Sequence, residues 1–134
     1  MQDAGHALVE RVILPDDFND LSEQIITWCD TGKADVVVTT GGTGLSIRDV
    51  MPEVTRSLID FEVPGMAEAM RSESLNLTKM SMISRSVVGV RGSTLIINLP
   101  GSTAGVRDNL VVVLPVIPHA TEVLQGRQSG RHPN

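Results

Sequence analysis

Aromatic residues are nearly missing from this chain: it has one Trp, two Phe and no Tyr among 134 residues. Its core must come from Val, Ile, Leu and Met, a mix that favours an α/β architecture over an aromatic-rich β-sandwich. Cysteine is as scarce. The single Cys29 excludes an intrachain disulfide and a cysteine-based metal cluster within one chain, and it points to a reducing compartment. Positive charge is in deficit, 11 Lys and Arg against 16 Asp and Glu for a net charge of −5, which argues against a general nucleic-acid binder working through backbone charge. No apolar run approaches the ~20 residues needed to span a bilayer, and no cleavable signal precedes the first apolar segment, so a soluble cytoplasmic protein is expected. The three histidines, His6, His119 and His132, share no ligand spacing, and no structural zinc is expected. What remains is one globular domain, 41% hydrophobic and 20% charged.

Residues 36–52, VVVTTGGTGLSIRDVMP, join an apolar strand to a glycine-rich loop and then to a capped helix. Val36, Val37 and Val38 are consecutive β-branched residues, suited to a strand buried on both faces and hence to a parallel sheet. Gly41, Gly42 and Gly44 permit positive φ and let backbone N–H groups point at an anion, with the hydroxyls of Thr39, Thr40 and Thr43 beside them. Such a cradle binds phosphate without net positive charge of its own. Asp49 is the natural N-cap of the following helix, with Pro52 in its first turn. Taken alone, the GGTG loop is equally a tight strand-to-helix turn whose glycines serve geometry.

Ahead of this stretch, residues 7–14 form an apolar run ended by Pro15-Asp16-Asp17, expected as a strand running into a turn. Leu21, Ile25, Ile26, Trp28 and Cys29 recur at helical spacing over residues 19–30, which predicts an amphipathic helix on the sheet, closed by Thr31-Gly32-Lys33. Cys29 is then a small core hydrophobe rather than a nucleophile. After the loop, Val54, Leu58 and Ile59 mark a short helix that stops at Pro64-Gly65, and Met66, Ala69 and Met70 mark a second one ending near residues 74–76. The methionines read as adaptable core or subunit contacts. Residues 87–90 are extended, Arg91-Gly92-Ser93 is a turn, and TLIINL at 94–99 is the second strongly buried strand. Pro100-Gly101-Ser102 ends that strand much as the glycine loop ends the first, so both loops are expected in one crevice at the carboxyl edge of the sheet. Val106, Leu110, Val113, Leu114 and Ile117 mark a closing helix, bent or broken by Pro115 and Pro118. Residues 126–134 lack apolar content and are expected to form a disordered tail.

TTGGTG at 39–44, RDV at 48–50 followed by Pro52-Glu53, PGMAEAMR at 64–71, SRS at 84–86, GVRGSTLIINLPGS at 89–102 and LPVIPHA at 114–120 occur in one order. On these motifs the chain resembles the molybdopterin adenylyltransferases, the family of the gephyrin G domain and its bacterial single-domain relatives, over residues 12–124. The resemblance implies a homotrimeric three-layer α/β domain, with a mostly parallel sheet and helices on both faces, that joins molybdopterin to AMP from Mg-ATP and releases pyrophosphate. The pterin's own phosphate is then the nucleophile, so the protein needs to position groups and neutralise charge. Carried over onto this sequence, Asp16 of the LPD turn and Asp49 of RDV hold or orient the Mg2+ and ATP, helix capping being the competing role of each. Ser84 matches the serine of the family's LSR stretch, with Ile83 in place of the leucine, and is the third candidate catalytic residue; an ordinary polar loop residue is its other reading. Thr40, Gly41, Gly42, Thr43 and Gly44, with Pro100, Gly101 and Ser102, line the pterin and nucleotide phosphates. A molybdenum-insertion domain is the further partner the family implies.

The resemblance departs at one place. Family members carry a further strand, a Ser-Asp pair after it and an Arg-Ser-Gly further on, ahead of the strand matched by residues 7–14, and neither is present in these residues. In doubly wound sheets such a first strand is internal, so a gap is expected between residues 7–14 and 36–40. The expected organisation is a molybdopterin-binding and adenylyltransferase domain over 1–125, incomplete at its N-terminus, followed by the tail at 126–134. The alternative function is a non-catalytic molybdopterin-binding or scaffold module that keeps the pterin pocket and trimer surface without nucleotide chemistry.

Overall fold

In the computed structural model, which describes residues 5–128, helix α1 (Phe18–Asp30) starts where Asp17 is extended and its carboxylate accepts the Asp20 amide proton at 2.9 Å. Leu21 and Ile25, one helical turn apart, are its buried residues, and Gly32 turns the chain away in the left-handed region at φ 69°. Strand β1 (Val36–Thr40) then runs parallel to β4 (Thr94–Leu99), with Val36 opposite Leu95 and Thr40 opposite Leu99. On its other side β4 pairs antiparallel with β3 (Val88–Arg91) through a hairpin that turns at Gly92, φ 60°, and β3 pairs antiparallel with β2 (Phe61–Glu62). The sheet order among the described residues is β1-β4-β3-β2. The sheet is therefore mixed where a mostly parallel one is expected, because a tight turn joins β3 to β4 and only antiparallel strands can be joined that way.

Helices α2 (Met51–Leu58), α3 (Pro64–Leu75), α4 (Thr103–Val113) and α5 (Ile117–Gln128) complete the chain. The period of two along β4 sorts them into layers. Leu95, Ile97 and Leu99 pack with Ala67, Met70, Val113, Ile117 and Leu124 on one face, while Ile96 packs with Leu21, Ile25, Val37, Val54 and Leu58 on the other. Helices thus cover both faces, the three-layer α/β arrangement expected, and each fully buried aliphatic side chain contributes about 1.5–3 kcal/mol. Cys29 packs half-buried beside the second of these cores, and desolvation pushes its thiol pKa up, which fits a core role. The closing helix is broken rather than continuous: a 3-10 turn at Leu114–Val116, containing Pro115, separates α4 from α5. Helix α5 runs on to Gln128, three residues into the stretch expected as a tail, because helical hydrogen bonding needs no apolar side chain; residues 129–134 of that tail lie outside the described residues.

One polar group sits in the middle of β4. Asn98 is fully buried, its Nδ2 donates to the hydroxyls of Thr39 and Thr55 at 3.0 Å each, and its Oδ1 accepts the Val87 amide proton at 3.1 Å. A buried amide with its partners satisfied ties β1, α2 and the approach to β3 to one strand.

Residues 7–14 do not form the expected strand. The β1–β4 register sends the Asp35 carbonyl and the Gly41 amide to β4, with Leu95 N–H to Asp35 O at 3.0 Å and Gly41 N–H to Leu99 O at 2.9 Å. The intervening Val36, Val38 and Thr40 therefore turn their backbone groups to the opposite edge. Across that edge lies a groove of about 900 Å³, walled by residues 36–40 on one side and residues 6–14 on the other. Residues 7–14 stand across this groove from β1 rather than in a ladder with it, and their apolar side chains are largely exposed; Ile13 is 90% exposed. Glu10 tethers the segment, accepting from Trp28 Nε1 and Lys33 Nζ at 2.7 Å each. Among the described residues no helix is long and apolar enough to cross a membrane.

Candidate active site

Beyond Thr40 the chain leaves β1 through two successive left-handed glycines, Gly41 at φ 88° and Gly42 at φ 70°, a backbone shape that side chains disfavour. Gly44 is not left-handed. Its constraint is room, since a Cβ there would stand 2.9 Å from Asp49 Oδ2. A Cβ at Gly42 would likewise lie 3.3 Å from Met51 Cβ and 3.7 Å from Asp16 Oδ1. Two carboxylates from separate parts of the sequence therefore abut alternate glycines of one loop. From the end of β4, Gly101 packs on Gly41 so closely that a Cβ on it would be 3.4 Å from Gly41 Cα. The parallel register delivers both loops to the same edge, as expected. Ser102 Oγ then accepts the Gly105 amide proton at 3.0 Å and caps α4, which places the N-terminus of that helix beside the crevice.

Neither aspartate is a helix cap. Asp17 caps α1, leaving Asp16 to line the crevice, and the N-cap position of α2 belongs to Val50, with no side-chain cap. Asp49 instead reaches back, Oδ2 accepting the Ser46 amide proton at 2.9 Å, because a short acidic side chain next to a turn finds a local amide as readily as a helix end. Pro52 does lie in the first turn of α2.

The strand entry at residues 84–86 runs against the loop and fastens it. The Arg85 amide donates to Thr43 O at 2.9 Å, while its guanidinium donates from Nε to Gly44 O at 2.7 Å and from Nη2 to Asp49 O at 2.8 Å. Glu53 accepts from Nη1 at 2.6 Å and from Nη2 at 3.3 Å. The Arg85 hydrogen bonds hold the Glu53 carboxyl below its ordinary pKa and Glu53 in turn raises that of the guanidinium. Ser84 Oγ donates to Ser86 Oγ at 3.2 Å. Of the loop hydroxyls, that of Thr39 accepts from Asn98, Thr43 is buried, and Thr40 is exposed beside the groove.

Residues 1–119 match a family described as a probable molybdopterin binding domain. The chain belongs to that family. The chain is 39% identical over 114 residues to the molybdopterin adenylyltransferase of Helicobacter pylori (strain J99), covering 85% of the chain and 65% of that protein. It is 40% identical over 121 residues to gephyrin of Dictyostelium discoideum, covering 90% of the chain and 17% of gephyrin. The domain thus spans less than two thirds of the length of either relative. Among solved structures, the molybdopterin biosynthesis enzyme MoaB of Thermus thermophilus superposes with a TM-score of 0.78 at 50% identity, over 84% of this chain and 70% of that one.

The candidate residues of the sequence gather unequally in the structure. Asp16, Gly42, Gly44 and Asp49 meet around one loop, Gly41 touches Gly101, and Pro100 and Ser102 flank that contact. Ser84 stands one residue from the Arg85 clamp, with its hydroxyl turned toward Ser86. Arg85 and Asn98 were not among the sequence candidates. Each carried a signal: Arg85 is a charge between two serines inside a motif, and Asn98 is the one amide within the apolar run TLIINL. Among the described residues no group of three or more His, Cys, Asp and Glu could hold a metal ion on its own.

Proposed function

We propose that this domain adenylates molybdopterin, taking AMP from Mg-ATP and releasing pyrophosphate. The observation that carries the reading is the pair of carboxylates, Asp16 and Asp49, set against Gly42 and Gly44 of a loop whose first glycine touches Gly101 of the second loop. In such a transfer an oxygen of the pterin phosphate bonds to the α-phosphorus of ATP as the bond to pyrophosphate breaks, and the protein's task is alignment and charge neutralisation. The left-handed backbone at Gly41 and Gly42 and the capped N-terminus of α4 offer amide dipoles to the phosphates. Mg2+ is commonly held by one or two carboxylates with substrate phosphates completing its shell, so Asp16 and Asp49 fit an ion that arrives with the nucleotide, where it would neutralise phosphate charge. Thr40, Thr43, Pro100 and Ser102 line the phosphates, and Ser84, whose hydroxyl must turn from Ser86 to reach substrate, is the third proposed catalytic residue.

The proposal extends to a homotrimer in the cytoplasm. Leu77, Met80, Met82 and Val111 are all more than 60% exposed, apolar surface after α3 and on α4 suited to subunit contact, and the lone free cysteine suits a reducing compartment. A molybdenum-insertion domain is the proposed partner, supported by the length of gephyrin outside the match. A second reading, pterin binding without turnover, is favoured by the open groove along β1 that leaves Asp16 exposed. The test is pyrophosphate release from Mg-ATP with and without molybdopterin. Pterin-dependent release, reduced about 100-fold or more in Asp49→Ala, is expected; tight pterin binding with no release by the folded protein would select the second reading.

A further inference from the structure

We infer that Arg85 is a positioning residue that sets the shape of the glycine loop and the stance of Asp49, and that Glu53 aims it. The inference rests on the loop being the site of adenylation and concerns residues given no part in that reaction above. The two carbonyls that the guanidinium clips, those of Gly44 and Asp49, are the two ends of the turn at residues 45–48. That turn stands out from the body, with Leu45 67% and Ile47 97% exposed, so its apolar side chains do not anchor it, and its own short bonds, Arg48 N–H to Ser46 Oγ at 3.3 Å and Ser46 N–H to Asp49 Oδ2 at 2.9 Å, close it only on itself. The backbone amide of the same residue holds Thr43 O, so Arg85 fastens the loop at three carbonyls in all. The guanidinium makes its hydrogen bond to Asp49 at the main-chain carbonyl, and its pull on the carboxylate is through charge alone. The carboxylate keeps its place against Gly44 while remaining available to a cation. Glu53, in the first turn of α2, takes two of the guanidinium donors and offsets its charge, which otherwise would compete more strongly for Asp49. A lysine presents one ammonium on a flexible stem and cannot span two carbonyls and a carboxylate in one plane.

The experiment compares the wild-type chain with Arg85→Lys and Glu53→Gln, reading amide hydrogen exchange over residues 43–51 and 94–99 together with pterin-dependent pyrophosphate release. In Arg85→Lys the loop amides are expected to exchange about tenfold faster while those of β4 are unchanged. The same variant is expected to lose about 100-fold in kcat with KM for ATP within about threefold, the signature of misplacement rather than lost binding. Glu53→Gln, at an exposed carboxylate, changes both readouts in the same direction by less, and it decides the matter by the same exchange measurement if Arg85→Lys does not fold. Loop exchange identical to wild type, or exchange accelerated equally in the loop and in β4, overturns the positioning role, as does a kcat for Arg85→Lys within twofold of wild type. Wild-type protein that releases no pyrophosphate, while its Arg85→Lys variant shows the faster loop exchange, overturns the adenylation reading and upholds the clamp.

Discussion

Residues 7–14, ALVERVIL, and residues 94–99, TLIINL, are built from similar aliphatic residues and end in opposite states. The second lies inside the sheet, buried at every position and paired on both sides, while the first is a largely exposed segment with no ladder partner among the described residues. The contrast shows that strand propensity is realised only where a neighbour supplies hydrogen bonds and a second apolar surface. β1 carries the same contrast within one strand, with one edge on β4 and the other on the groove.

The largest break in the comparison should come from matched truncations. Ile97→Ala removes a side chain with no exposure and should cost about 2–5 kcal/mol, whereas Ile13→Ala, at 90% exposure, should change stability by less than about 0.5 kcal/mol in urea unfolding. Equal losses would mean that residues 7–14 are packed in solution. A finer cut lies along β1. The amides of Val37 and Thr39, which the register directs to β4, should exchange at least about 100-fold more slowly than those of Val36 and Val38. Uniform protection along the strand would show that its outer edge is covered. The smallest expected effect is at Glu10. Hydrogen bonds from Lys33 and then Trp28 lower its pKa below the ordinary 4.5, so the tether is fully formed above that value and is lost as pH falls below it through the folded pKa. Trp28 fluorescence should report that loss while far-UV circular dichroism of the sheet and helices holds steady; a change confined to pH above about 5 would contradict the assignment.

The same physics explains what the sequence discloses and what it hides. Helix α1, the Gly92 hairpin and β4 are legible because caps, turn glycines and apolar period are local signals. Residues 7–14 mislead because composition does not report whether a partner strand is present. β2 escapes notice since Phe61–Glu62 is a two-residue pairing with both residues exposed. At the candidate site the glycines and both aspartates stand out as a motif, yet the cap assigned to Asp49 fails because the Ser46 amide competes with the helix end from three residues away. Arg85 is the least legible, since its partner Gly44 lies 41 positions earlier and a long side chain leaves no periodic trace of what it reaches.

The role proposed for the carboxylates against Gly42 and Gly44 is transfer of AMP to molybdopterin. Single-turnover incubation of the folded chain with molybdopterin and Mg-ATP labelled at the α-phosphate tests it most directly. Label is expected on the pterin with wild-type protein and is expected to be nearly lost with Asp49→Ala at an unchanged melting temperature. Label transfer at the wild-type rate by Asp49→Ala would contradict it.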